Sequence, residues 1–170
     1  MSIIESDLLG RPSPWRLQFI PILTTLLGSC VSLLPFVASA PILPPFGLLM
    51  ALGWRLLRPE LWAAWMALPL GLADDLITGA PPGTAMTLWT IAFLVIDLID
   101  SRPMWRDHWL DWWIATGAIL WCAVGGWAIG WFVAGGGLPW ALIAPTLIAI
   151  VAFPPVARLC AVLDRWRLAK

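Results

Sequence analysis

Four carboxylates inside or at the edge of long apolar runs are the first residues to examine for chemistry. Asp74 and Asp75 sit about a turn before Gly79, and Asp97 and Asp100 close the next apolar run. Burying such a group in hydrocarbon costs several kcal/mol and marks function by default. Two carboxylates could share a proton and activate water, as in an aspartyl protease, if they lay about 3 Å apart. Counted at about 1.5 Å per residue from the turn at 79–83, Asp74 is about 7 Å deep and Asp97 about 20 Å deep. The dyad fails on geometry. Asp97 is better read as an ion pair with Arg55, Arg58, Arg102 or Arg158, which belong to the same end of the chain's helices. Asp74 has no basic partner at its own end. It is expected to reach interfacial water, or to accept hydrogen bonds from backbone N–H groups in the 79–83 turn or at the start of the next helix.

Other chemistries find little to build on. His108 is the single histidine, so a histidine-based zinc site or a Ser-His-Asp triad is not expected. Cys30, Cys122 and Cys160 stand in apolar runs without a C-x-x-C spacing and read as packing residues. Gly135-Gly136-Gly137 lacks the Lys-Ser/Thr of a phosphate loop and reads as a tight connection. No nucleophile–base pair, metal set or cofactor motif stands out, so the expectation is a non-enzymatic protein without a cofactor. Ten basic and ten acidic residues cancel, which argues against a nucleic-acid partner.

The elements that position these residues follow from composition. Of 170 residues, 61 % are apolar and 12 % charged, with a mean hydropathy of +0.87. A soluble domain of this size would leave much of that apolar surface in water. The expected fold is all-α: one integral membrane domain over 1–170, a bundle of six transmembrane helices with both termini inside. A ruler of about 20 residues per crossing places the spans at 17–39, 42–56, 61–78, 84–100, 110–134 and 138–159. The second is short and opens among Pro41, Pro44 and Pro45. Charge placement nevertheless makes it a crossing. All ten Lys and Arg fall before span one, at the end of span two or just after it, between four and five, or from the end of span six onward. The other three connections carry no charge, and cations are retained on the cytoplasmic side. Ala38-Ser39-Ala40 imitates a signal-peptidase site, but the preceding apolar run is too long and Pro41 follows directly; a retained first span is expected. Trp15, Trp54, Trp62, Trp105, Trp109, Trp112, Trp140 and Trp166 fall near expected interfaces, where indole is favoured.

Span five carries a recognition surface. Ala118, Cys122, Gly126, Gly130 and Ala134 recur at every fourth residue, which stacks small side chains on one face. Gly126 and Gly130 form a GxxxG element that lets another backbone approach closely, from a helix of the same bundle or of a second protein. Thr24, Gly28 and Ser32 make a weaker version on span one.

The layout, with Arg58-Pro59 opening span three, resembles the rod shape-determining protein MreD family. The stronger mark is the far end of that span, where Gly71, Asp75, Gly79, Pro81 and Gly83 fall on the family's G-x-x-x-D-x-x-x-G-x-P-x-G pattern. The doubled acid, Asp74 and Asp75, and the Trp-rich 101–113 segment depart from it. The resemblance implies a non-enzymatic scaffold of the bacterial cell-elongation machinery in the inner (cytoplasmic) membrane. Such a scaffold binds the bitopic protein MreC and, through it, connects MreB filaments to the glycosyltransferase RodA and its class B penicillin-binding partner. It would help maintain rod shape and regulate peptidoglycan synthesis, among membrane lipids. The family is also similar in helix layout to the substrate-binding subunits of energy-coupling-factor transporters. The alternative it implies is therefore a small-molecule-binding membrane subunit.

Overall fold

The computed structural model describes residues 14–33, 43–60, 62–100, 108–135 and 139–168. Six α-helices and no strand occur among them: α1 (Pro14–Val31), α2 (Phe46–Leu57), α3 (Ala67–Thr78), α4 (Thr84–Asp100), α5 (His108–Ala134) and α6 (Ile143–Leu168). Short 3-10 turns at Ala64–Met66 and Pro139–Leu142 lead into α3 and α6. The expected all-helical class and the six helical segments are both present.

The shortest segment lies at the centre. Every residue of α2 from Gly47 to Leu56 is buried, with α1, α5 and α6 packed against it. Its small residues make this possible. A Cβ on Gly53 would stand 2.9 Å from the Cys160 Sγ of α6, and one on Gly28 of α1 would stand 2.9 Å from the Phe46 carbonyl oxygen. Twelve residues span about 18 Å, less than the roughly 30 Å of a hydrocarbon core. The helix occupies 46–57 within the expected 42–56 segment and just beyond it. Two other stretches, Trp109–Val133 and Pro139–Arg167, are long and apolar enough to cross a membrane. The last helix continues to Leu168 instead of stopping near 159: in its final turns Asp164 pairs with Arg58, and the Arg167 guanidinium lies over the Trp54 ring of α2.

Contacts between helices fix their directions. The C-terminal part of α1 meets the start of α2 at Gly28 and Phe46, and the C-terminal part of α3 meets the start of α4 where Asp75 accepts the N–H groups of Ala85 and Met86. Both pairs are antiparallel. Arg55 and Arg58 at the end of α2 reach Asp97 at the end of α4 and Asp164 near the end of α6. The bundle therefore has a charged end, where α2, α4 and α6 finish, and a turn end, where α1 and α3 finish.

Outside α2, the helices present large apolar side chains outward. Leu76 is 72 % exposed, Phe132 87 % and Val151 73 %, with Phe19, Leu23, Leu94 and Leu98 also exposed. Indoles divide into two groups. Trp109, Trp140 and Trp166 are exposed, as expected for interfacial residues, but Trp54 and Trp62 are fully buried. The Trp54 N–H donates to the Thr24 hydroxyl at 2.9 Å, and Trp62 packs on Phe93 with ring centroids 6.2 Å apart. Their neighbours are protein on every side, so the interfacial expectation is corrected for these two. Trp112 is half-buried and donates to the Ile150 carbonyl at 3.3 Å; Trp105 and the Trp15 side chain lie outside the described residues.

Candidate functional site

The turn end gathers the motif residues. Helix α3 stops at Gly79, whose φ of +72° is a left-handed conformation that glycine adopts without steric cost. Pro81 accepts the Thr84 N–H and hydroxyl at 3.1 and 2.7 Å, and Gly83, with φ +98°, turns the chain into α4. Asp75 closes the unit from the preceding helix. It is 1 % exposed and accepts the backbone N–H groups of Gly83 at 2.9 Å, Ala85 at 2.8 Å and Met86 at 3.4 Å. These are donors at the start of α4 that its own helix leaves without partners. Gly71, one turn earlier, lets α3 come close: a Cβ there would stand 2.6 Å from the Met86 N and Cα.

The role expected of Asp74 belongs to its neighbour. Asp75, not Asp74, takes the backbone N–H groups of the turn and of α4. Asp74 accepts the Ser29 hydroxyl of α1 at 2.5 Å. That contact threads past Gly47 of α2, where a Cβ would stand 2.2 Å from the Ser29 Oγ and 2.8 Å from the Asp74 Oδ1. Adjacent helix residues point about 100° apart, so one carboxylate faces α4 while the other faces α1 and α2.

Beside Asp74 lies a cavity of about 300 Å³ between α2, α3, α4, α5 and α6. Its wall is almost wholly apolar, with Leu88, Trp89, Ile119 and Trp127 prominent, and Asp74 stands in it. Gly126 lines the same cavity, and a Cβ there would meet nothing within 4 Å. Of the two glycines of the GxxxG element, Gly126 thus borders this cavity. Gly130 is likewise open on its Cβ side but is absent from the cavity wall. The α1 stripe is also resolved: Gly28 touches α2, whereas Ser32 is exposed and Ser29 provides the buried hydroxyl.

No family model, no curated protein and no solved structure matches this chain.

At the charged end, Arg55 is 2 % exposed and paired with Asp97, with Asp100 at 3.7 Å. It also donates to the Pro59 carbonyl at 3.0 Å. Arg58 donates from Nε and Nη2 to one Asp164 oxygen at 3.1 and 3.0 Å, and Arg167 holds the other. The Arg167 guanidinium lies 5.7 Å from the Trp54 ring centroid. The Arg58-Pro59 pair is therefore a fastening between α2, α6 and the following turn. Asp97 has the ion-pair role expected of it, and Arg55 is the partner. Arg55 belongs to the last turn of α2. Among the described residues no group of three or more His, Cys, Asp or Glu is placed to hold a metal ion.

Sequence reasoning passed over Ser29, Gly47, Asp164 and Arg167. Ser29 and Asp74 are 45 residues apart and Arg58 and Asp164 are 106 apart, so no local spacing links them. The signal available was weaker: polar residues at helix spacing, Thr25 and Ser29, inside an apolar run.

Proposed function

We propose that this chain is a multi-pass membrane scaffold of the MreD kind, seated in the bacterial inner membrane with both termini on the cytoplasmic side. Its role is non-enzymatic: it holds the transmembrane helix of MreC and, through it, connects MreB to RodA and the class B penicillin-binding partner. The observation that carries this reading is the joint at the turn end. Gly71, Asp75, Gly79, Pro81 and Gly83, the positions of the family-like pattern, act there as one structural unit. Both oxygens of Asp75 are occupied by backbone N–H groups, which suits an architectural role for that residue. Outward-facing Leu76, Leu94, Phe132 and Val151 support a lipid environment, since apolar faces this extensive are not kept in water.

Purification in mild detergent tests the proposal: a bitopic partner should be recovered in stoichiometric amount. Gly130→Leu, on the part of the GxxxG face away from the cavity wall, should reduce that recovery at least tenfold while the bundle still folds. Undiminished recovery would move docking to another face. The cavity favours a second reading, a small-molecule-binding subunit of the energy-coupling-factor type. Recovery of an ATPase pair with a coupling subunit, in place of a bitopic partner, would select it.

A further inference from the structure

We propose that the cavity at the turn end is a binding site for an apolar organic monocation, a compound with one ammonium group on a hydrocarbon or aromatic body. The inference rests on the cavity and does not depend on partner docking; under the second reading it names the substrate class.

Size and lining give the body of the ligand. About 300 Å³ lies at the lower bound of small-molecule pockets and suits a ligand of about ten heavy atoms. The wall offers apolar side chains and two indoles, Trp89 and Trp127. Charge gives its head. Asp75 also borders the space, but both its oxygens are held by the N–H groups of α4. Asp74 differs: its Oδ1 takes the Ser29 hydroxyl, and the carboxylate stands in the wall of an apolar chamber. Among the described residues, no Arg or Lys lines that cavity. The arginines whose side chains are described lie at the end of α2 or in the C-terminal half of α6: Arg55, Arg58, Arg158, Arg165 and Arg167. With no basic side chain among the described lining residues, a carboxylate at an apolar cavity is stabilised in its charged form by a cation, and the indoles of the wall add attraction for ammonium groups in particular. A fatty acid or other anion meets the opposite field.

The test is a fluorine NMR titration of the full chain in detergent with 4-fluorophenethylamine, using 4-fluorophenethyl alcohol as the uncharged comparator. The amine should bind saturably and at least tenfold more tightly than the alcohol. Asp74→Asn, whose amide oxygen still accepts from Ser29, should erase that preference and leave alcohol affinity unchanged. Gly126→Leu, which fills the space, should abolish saturable binding of both. If Gly126→Leu lowers the melting temperature, Ala123→Leu on the same wall replaces it. No saturable binding to the unaltered chain, equal affinity for the two probes, or full amine affinity in Asp74→Asn would each overturn the proposal. So would displacement of the amine by oleate alone, which would mark an acyl-chain site. Because the partner-recovery experiment uses Gly130→Leu and a different readout, either proposal can fail while the other stands.

Discussion

At the scale of single residues, three carboxylates do three different kinds of work. Asp75 satisfies the first turn of a neighbouring helix, Asp74 joins α3 to α1, and Asp97 balances a buried guanidinium. Removing Asp75 would leave N–H groups of Gly83, Ala85 and Met86 without their acceptor. Asp75→Ala should therefore destabilise the bundle by about 2–4 kcal/mol, read as a lower melting temperature in detergent, and Asp75→Asn by less. Arg55 is the reverse case, a cation whose loss strands its partners. Arg55→Ala should cost about 1–2 kcal/mol, less than breaking a fully buried pair, because the Asp97 carboxylate left behind is 42 % exposed. Arg55→Met combined with Asp97→Leu should recover much of that in a double-mutant cycle, and a simple sum of the two single losses would contradict the pairing.

Between elements, backbone approach decides more than side-chain size. Helices α3 and α4 meet where Gly71 faces the Met86 backbone, and a backbone atom cannot swing aside as a side chain tip can. Gly71→Ala should cost about 2 kcal/mol or more through overpacking. Gly130→Ala, whose Cβ would meet nothing within 4 Å, should leave stability within about 0.5 kcal/mol or raise it slightly through helix propensity. Comparing the two melting temperatures separates a glycine that a contact requires from one that is merely small.

For the molecule as a whole, the two ends differ in chemistry. One holds Arg55, Arg58, Asp97, Asp100, Asp164 and Arg167, and the other holds the glycine- and proline-rich turn. In the proposed membrane reading, retention of cations on the cytoplasmic side sets the orientation. With the native cysteines replaced, a thiol at Arg106 should resist an impermeant reagent added outside intact cells. A thiol at Pro82 should react. Labelling of Arg106 from outside would reverse the arrangement and remove the basis for the docking proposal.

Much of this was legible in the sequence. Helical class and the number of helical segments follow from composition and from hydrophobic run length. The pairing of Asp97 with an arginine was legible too, because a charge in an apolar run requires a partner at its own depth. Which arginine served was not, since Arg55, Arg58, Arg102 and Arg158 all met that condition. That Asp75 rather than Asp74 takes the backbone N–H groups has the same origin. Neighbouring residues differ by about 100° around the helix, and an apolar run with apolar side chains on all sides carries no signal of its rotation. Trp54 and Trp62 show the limit from the other direction: their place near span ends suggested an interface, and packing by α1 and by Phe93 enclosed them.

The amino-acid order alone thus determined what kind of element forms and at which end charge is tolerated, because those depend on local run length and on the cost of burying ions. Tertiary structure alone decided which face of each helix turns inward, and with it the Ser29–Asp74 bond, the central position of α2 and the cavity beside Trp89. Those features depend on contacts between residues tens of positions apart, whose geometry exists after the helices have packed.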